Sequence, residues 1–175
     1  MKSAHSSGFR ARGFTLVELM TTVAVLAILI AVVPPSLASF VRTSQVRAAQ
    51  SELISSLMLA RSEAAKRGKT VFVSAAAPVT GSEFSAGWRV WVDEDDSGVF
   101  NSADTVLRDF PDIATGVILG TTSNATQVSF ASSGFLTSAS AVDFKVCGKG
   151  DASKGYTVSL QPVGLADVDD RATCP

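Results

Sequence analysis

Residues 14–33 read FTLVELMTTVAVLAILIAVV, a run of twenty residues in which Glu18 is the only charged side chain. Twenty helical residues rise about 30 Å, which matches the thickness of the hydrocarbon core of a bilayer. The thirteen residues before this run carry three basic side chains and no acidic one, which is the charge bias of a cytoplasmic flank. The sequence therefore predicts a transmembrane helix over residues 14–35.

The carboxylate inside this apolar run distinguishes between interpretations of the segment. A secretory signal peptide has an apolar core of about 7–15 residues and a small-x-small cleavage site, for which Ser36-Leu37-Ala38 is a candidate. The run is longer than that and contains an acid. A plain membrane anchor has this length, but it gives no reason for Glu18, because a carboxylate at mid-membrane costs about 2.5–3.5 kcal/mol. Such a group needs a positive partner.

A third interpretation rests on the segment Arg12-Gly13-Phe14-Thr15-Leu16-Val17-Glu18-Leu19, which resembles the processing site of type IV prepilins. The resemblance implies that prepilin peptidase removes residues 1–13 as a leader by cutting after Gly13, and that it methylates the new N-terminus at Phe14. It also implies that Glu18 neutralises the N-terminal amine of a neighbouring subunit when the filament assembles.

Helical spacing resumes directly after Pro34-Pro35, so we expect these prolines to kink one long helix rather than to end it. Glu63 and Arg67 have the spacing of a helical ion pair, and Gly68 supplies a stop signal. Residues 36–69 are thus predicted to continue the helix as an amphipathic segment that packs on the rest of the chain. Its apolar stripe consists of Val46, Ala49, Leu53, Leu57, Ala60 and Ala64.

From Thr70 onward the apolar residues alternate with polar ones, as they do in β-strands. The predicted fold class is α+β, with a long N-terminal helix packed on an antiparallel, sandwich-like β-rich domain over residues 70–175. The predicted strands cover residues 71–75, 88–92, 105–110, 117–119, 127–130, 142–147 and 156–160.

Two further runs extend the resemblance, Leu59-Ala60-Arg61-Ser62-Glu63-Ala64 and Gly87-Trp88-Arg89-Val90-Trp91-Val92-Asp93. They are similar to the FimT/GspH branch of minor pilins and pseudopilins. The resemblance implies a pilin-like fold and a minor type IV pilin that takes part in pilus assembly or initiation. A GspH-like minor pseudopilin of a type II secretion system is the alternative within the class. A DNA-binding pilin for uptake and an anchored periplasmic binding module are the less favoured alternatives.

The resemblance also implies partners and a location. The partners are prepilin peptidase and other major or minor pilins or pseudopilins. The protein is expected to cross the bacterial inner membrane once, with its C-terminal domain in the periplasm, and then to enter a pilus or pseudopilus.

Cys147 and Cys174 are the only cysteines of the chain. In the periplasm disulfides persist, and a bridge over this separation contributes roughly 3 kcal/mol. A metal site or a nucleophile would need partners, but the single histidine, His5, lies in the leader and no further thiol exists. We therefore expect a disulfide that pins the C-terminal strand.

The densest acidic cluster has the oxygen-ligand spacing of a calcium-binding loop, although its last position is Asp rather than Glu and its flanks are predicted strands. The competing interpretation is a solvated hairpin turn, for which Asp, Ser and Gly are also typical, and we favour it. The candidate Ca²⁺ ligands are Asp93, Asp95, Ser97, Asn101 and Asp104.

Composition excludes several classes of function. With 46% hydrophobic and 18% charged residues, the chain is neither disordered nor a strongly basic nucleic-acid binder. Residues 70–175 carry six basic and thirteen acidic side chains, a net of −7, so this domain should repel DNA. Residues 36–69 carry six basic and two acidic side chains. No enzyme is expected, because the chain has neither a histidine outside the leader nor a Gly-rich phosphate loop.

Overall fold

A computed structural model of the chain describes residues 13–170, 172 and 174; within helices and strands, the side chains of residues 31–36 and 151–154 are outside the description. Residues 1–12, which hold most of the predicted leader, lie outside the described residues. The chain divides into two compact units, Met1–Ser39 and Phe40–Pro175. Each unit is described below by itself.

One helix, α1, runs over 52 residues from Leu16 to Arg67 and contains both Pro34 and Pro35. The prediction of one long helix that continues through these prolines is confirmed. The helix ends where predicted, because Gly68 takes a φ of 67° and its N–H donates to the carbonyl of Ala64 at 3.0 Å. This left-handed residue after the last turn is the common helix stop.

Among the described residues, no helical stretch is both long enough and apolar enough to cross a membrane. The transmembrane segment over residues 14–35 stays a prediction. The side chains of residues 31–35 of this segment are among those outside the description.

The apolar stripe predicted for the second half of α1 is buried throughout. Val46, Ala49, Leu53, Leu57, Ala60 and Ala64 each expose 5% of their surface or less. They form one hydrophobic core with residues of the β-rich part of the same unit. The stripe therefore packs on the body of its own chain, as predicted.

Eight strands follow the helix in the described part of the chain, and they form two antiparallel sheets of four strands each. In the first sheet the order is β3-β2-β1-β5, and in the second it is β4-β6-β7-β8. The α+β class and the sandwich-like body are confirmed. The strands are β1 Val71–Ala75, β2 Trp88–Val92, β3 Thr105–Phe110, β4 Val117–Thr121, β5 Gln127–Phe130, β6 Val142–Gly148, β7 Asp151–Leu160 and β8 Ala166–Asp169.

The structure departs from the predicted strands in the second sheet. β4 and β6 extend to Thr121 and Gly148, and β7 already begins at Asp151. The eighth strand, β8, was not predicted, because two of its four residues are acidic and three are exposed. It forms by pairing with β7, in the register Val158↔Val168.

Aromatic side chains join the two sheets in one core. Phe84, from the loop between β1 and β2, packs edge-on against Phe144 of β6, with ring centroids 5.3 Å apart. The same Phe84 ring lies edge-on to Trp88 of β2, and Trp88 stacks on Phe110 at 5.1 Å. Because these rings are buried, they hold the loop and both sheets around a common centre.

Candidate functional site

The predicted cleavage junction is exposed in the described structure. Phe14 exposes 76% of its surface, and Gly13 has no atom within 4 Å of the position that a Cβ would take. The fold of this unit therefore gives no steric reason for glycine at position 13. Any requirement for Gly13 must come from a protein that acts on the junction.

The first turn of α1 is capped by Thr15. Its Oγ1 accepts the backbone N–H of Glu18 at 3.2 Å, and its carbonyl accepts the N–H of Leu19 at 3.1 Å. This is half of a capping box, in which a threonine and the glutamate three residues later close a helix N-terminus. The spacing of Thr15 and Glu18 in the sequence is the signal that predicts this cap.

Glu18 lies in the first turn of α1 and is exposed. A negative side chain at this end interacts favourably with the helix dipole. Its carboxylate makes no hydrogen bond or ion pair in the described structure. The group is thus held at the start of the helix while both of its oxygens remain available to a partner.

The apolar residues that follow Glu18 are exposed on every side of the helix. Eleven large apolar side chains between positions 14 and 30 each expose more than half of their surface. Thr21 and Thr22 donate their hydroxyls to the carbonyls of Glu18 and Leu19 at 3.0 and 2.8 Å, so they present little polarity. A helix that is apolar all round requires a cover, which is either lipid or other helices.

The predicted disulfide is present. Cys147 of β6 is bonded to Cys174, with their Cα atoms 5.7 Å apart. Gly155 of β7 lies opposite Cys147, and a Cβ on this glycine would overlap the sulfur of Cys174. The bridge therefore fastens the end of the chain to the second sheet in a space that only glycine leaves open.

The acidic loop, residues 93–104, connects β2 to β3 and folds around Asp93. Asp93 exposes 3% of its surface, and its carboxylate accepts the backbone N–H groups of Ser97 at 3.0 Å and Gly98 at 2.9 Å. Gly98 has a φ of 71°, and Asp96 a φ of 57°. Asp93 thus holds the loop in a tight turn.

The remaining candidate ligands surround the same point. Carboxylate oxygens of Asp93, Asp95 and Asp104 lie within 4.8 Å of one another. Asn101 directs its side-chain N–H₂ group to Asp95 at 3.0 Å and to the hydroxyl of Ser97 at 3.2 Å. The structure therefore brings all five predicted residues together, but Asn101 offers donors to the cluster.

Hydrogen bonds within the loop also engage the other two carboxylates. Asp104 accepts the backbone N–H groups of Glu94 at 3.1 Å and Asn101 at 2.7 Å. Hydrogen bonds from Ser97 first, and from Asn101 second, hold the pKa of Asp95 below its ordinary value of 3.8. The loop stabilises its own negative charges through these donors.

Glu83 is a structural residue that the sequence pattern did not reveal. It exposes 1% of its surface, and its carboxylate accepts the N–H groups of Gly81 at 2.7 Å and Thr121 at 2.9 Å. Next to it the N–H of Phe84 donates to the carbonyl of Leu119. The loop thereby covers the outer edge of β4, which would otherwise be open to another strand. No local motif predicts this contact, because its partners are 38 residues apart.

Solved structures show which class has this fold. The type IV minor pilin FimU of Pseudomonas aeruginosa aligns with a TM-score of 0.60 and 21% identity, over 74% of this chain and 92% of FimU. The minor pseudopilin EpsH from the Type 2 Secretion System of Vibrio cholerae aligns with a TM-score of 0.54 and 16% identity, over 72% of this chain and 97% of EpsH. At these identities the likeness shows the fold, which is that of minor pilins and pseudopilins.

Family models identify the particular family. The family described as Type II transport protein GspH matches residues 49–164, and the prokaryotic N-terminal methylation motif matches residues 8–34. The chain therefore belongs to the GspH family and is a minor pilin or pseudopilin. A comparison with curated protein sequences finds no match.

Proposed function

We propose that the protein is a minor type IV pilin that is cut after Gly13, methylated at Phe14 and incorporated into a pilus during its assembly or initiation. The observation that carries the proposal is the position of the Glu18 carboxylate. Its carboxylate, which has no partner among residues 13–170, lies in the first turn of a helix that is apolar on every side, within the methylation motif of residues 8–34.

The mechanism is assembly through the first part of α1. The eleven exposed apolar side chains need an apolar surrounding, because apolar surface left in water costs about 25 cal/mol per square ångström. They pass from lipid into a bundle of helices, where packing between the helices holds them. That packing does not fix the position of one helix along another. The pair between Glu18 and the N-terminal amine of a neighbour sets this register, because a carboxylate in an apolar bundle is tolerated only beside a positive group.

Before assembly the protein is retained in the inner membrane, with the body in the periplasm. Two features of the sequence support this part of the proposal: the apolar run of residues 14–33, and the basic residues before it. Carbonate extraction of cell membranes tests it. The protein is expected in the membrane pellet, and its release into the supernatant would contradict membrane retention.

A minor pseudopilin of a type II secretion system is the second candidate, and the description of the matching family favours it. Deleting the coding sequence and measuring both phenotypes separates the candidates. A pilin is expected to leave cells with fewer pili and normal secretion. Normal piliation with impaired secretion would instead identify a pseudopilin.

Processing is tested by the mass of the mature protein. We expect the mature chain to begin at a methylated Phe14, and Gly13→Leu to retain residues 1–13. The described fold leaves space at Gly13, so this variant blocks cleavage without disturbing the helix. A mature mass unchanged by Gly13→Leu would contradict the proposed junction.

Assembly is tested by Glu18→Ala, with Glu52→Ala in the second half of α1 as the matched control. We expect Glu18→Ala to remain processed and membrane-retained, while its incorporation into filaments falls by about tenfold or more, equivalent to about 1.4 kcal/mol. Glu52→Ala should assemble normally. Equal incorporation of the two variants would show that Glu18 does not set the register.

The proposed role is structural and includes neither catalysis nor DNA binding. The single histidine is His5, in the leader, and residues 70–175 have a net charge of −7. An electrophoretic shift of DNA by the protein at low salt would show that it does bind DNA.

For the acidic loop we propose a hydrogen-bonded turn rather than a Ca²⁺ site. The donors that Asn101 directs to Asp95 and Ser97 support this choice, because a metal ion needs oxygen atoms in that direction. The melting temperature is expected to stay constant in millimolar Ca²⁺. A rise that Mg²⁺ does not reproduce would establish the calcium site.

A further inference from the structure

The second sheet carries a cleft on its outer face. Phe144 and Val146 of β6 belong to the hydrophobic core, so the alternate residues Lys145 and Cys147 lie on the opposite face of the sheet. A cleft with a volume of about 370 Å³ opens there, and Lys145 and both cysteines of the disulfide line it. The cleft therefore gives a molecule in solution a path toward the disulfide.

The two cysteines of the disulfide differ in their exposure to solvent. Cys147 lies in β6, between β4 and β7, and exposes 2% of its surface. Cys174 lies outside the strands and is only half-buried. The rate of thiol–disulfide exchange depends on access to the sulfur that is attacked. An external thiol is therefore expected to reach the sulfur of Cys174 before that of Cys147.

Lys145 brings a positive charge to the same cleft. The residue is half-buried, and its ammonium makes no ion pair or hydrogen bond with any residue that the structure describes. Asp143, two positions away on the same face of β6, accepts a serine hydroxyl at 2.7 Å instead. Glu83, whose carboxylate adjoins Gly120 in the cleft, accepts two backbone N–H groups. Other donors thus satisfy both nearby acids, and the ammonium keeps its charge toward the cleft.

The position of this ammonium favours one of the two sulfurs as a thiolate. Lys145 lies two positions from Cys147 on the same face of β6, and both residues line the cleft. A positive charge beside a sulfur stabilises its thiolate form. When a disulfide opens, the sulfur that leaves does so as a thiolate, and a stabilised thiolate leaves faster. Lys145 therefore favours an exchange in which Cys147 leaves and Cys174 is attacked.

We infer that this cleft is a site of thiol–disulfide exchange, in which an external sulfur engages Cys174 and Lys145 stabilises the thiolate of Cys147. The partner that such a site fits is a dithiol–disulfide oxidoreductase. Exposure of the sulfur, the cleft and the unpaired ammonium support the same assignment. The inference goes beyond the proposed function, because it holds equally for a pilin and for a pseudopilin.

In the closing direction the exchange has two steps. The thiolate of Cys174 attacks the disulfide of the partner, and one partner sulfur leaves as a thiolate. The thiolate of Cys147, stabilised by Lys145, then attacks the sulfur of Cys174 and displaces the second partner sulfur. The two thiols of the protein are oxidised to a disulfide, and the disulfide of the partner is reduced to a dithiol that takes up their two protons. Opening the bond is the reverse of these steps.

Exchange with reduced glutathione tests the inference on the folded full chain in detergent. Glutathione in large excess opens the bond, an alkylating reagent traps the thiol that is released, and peptide mass spectrometry locates both groups. We expect glutathione on Cys174 and the alkyl group on Cys147. The variant with both cysteines replaced by Ser is the control, and it should carry neither group.

Three results of this experiment would overturn the inference. They are glutathione on Cys147, equal labelling of the two cysteines, and no exchange until a denaturant unfolds the chain. The last result would show that the disulfide is a closed structural bond. The purified protein is used without a filament, so these results leave the proposed function to its own tests.

The rate of the same exchange tests the role of Lys145. Lys145→Met should slow the exchange by about fivefold, because it removes the charge beside Cys147. Lys149→Met, which removes an exposed charge after the same strand, should not slow it. Lys145→Arg keeps the charge and should restore the rate, and added salt should slow the wild type but not Lys145→Met. Equal rates for Lys145→Met and Lys149→Met would contradict the role of Lys145.

Discussion

The two halves of α1 differ in where their apolar side chains lie: the first half is apolar on every side and exposed, whereas the second half has one apolar stripe, which is buried. Leu19, Leu26 and Leu29 each expose more than half of their surface, whereas Leu53 and Leu57 expose 1% or less. The second half is covered by two sheets of its own chain. Among the described residues of its own unit, the first half has no such cover.

This difference separates the energy that folds the protein from the energy that assembles it. Burial in the second half contributes to the free energy of unfolding of the body. Burial of the first half is available only in lipid or in a filament. Substitutions in the second half should therefore lower the melting temperature, whereas substitutions in the first half should reduce incorporation into filaments.

Leu53→Ala and Leu26→Ala make the same change in the two halves. Leu53→Ala should cost about 2–5 kcal/mol, because it leaves a cavity in the core, and should lower the melting temperature in detergent by about 10 °C. Leu26→Ala should leave the melting temperature unchanged and reduce incorporation instead. A similar loss of melting temperature for both would show that the first half also packs on the body.

The disulfide is a constraint that the body has and the first half of α1 lacks. Replacing both Cys147 and Cys174 by Ser should cost about 3 kcal/mol, because the unfolded chain regains the freedom of the closed loop. Calorimetry of the wild type with and without reductant gives the same comparison. The serine variant is the control, since reductant should not change its melting temperature.

Asp93→Asn and Asp96→Asn compare a buried with an exposed acid of one loop. Asp93→Asn should cost about 1–3 kcal/mol, because an amide cannot accept both the Ser97 and the Gly98 N–H groups. Asp96→Asn should be nearly neutral, since Asn tolerates the positive φ found there. Chemical denaturation measures both, and equal losses would show that burial does not distinguish these acids.

The smallest effect is expected for the ion pairs of Glu63. Arg67 at 2.6 Å first, and Lys66 at 3.2 Å second, hold the pKa of Glu63 below its ordinary value of 4.5. Since the folded pKa is lowered, the stabilisation is present above pH 4.5 and is lost as the pH falls through the lowered value. Glu63→Gln should thus melt slightly below the wild type at pH 7 and level with it in strong acid.

Local sequence patterns predicted most of the helix and the strands, because each of these patterns involves only residues that are close together along the chain. The stripe from Val46 to Ala64, the stop at Gly68 and the bounds of β1, β2 and β3 are all found in the structure. Burial in these three strands does not alternate strictly, because β1 and β2 each bury three consecutive residues. β8 was missed because its acidic residues form a strand only by pairing with β7. The spacing of Thr15 and Glu18 is likewise a local signal, and it corresponds to the hydrogen bond that caps the first turn of α1.

The residues of the candidate site were also predicted from local sequence. The order of residues alone pointed to Gly13, Phe14 and Glu18, since a peptidase and a neighbouring helix act on a continuous segment. Cleavage after Gly13, methylation at Phe14 and the pairing of Glu18 with a neighbour stay predictions, which the experiments above test. The pairing of Cys147 with Cys174 was expected because no other cysteine exists, and the structure confirms it.

By itself the sequence determined the long helix, its apolar first half and the isolated carboxylate at its start, because these depend on neighbours within a few residues. Only the tertiary structure decided that Glu83 covers the edge of β4 and that the distant turns around Gly134 and Gly164 meet beside Arg61. Contacts of this kind join residues far apart along the chain, so they exist only after the two sheets and the helix have packed.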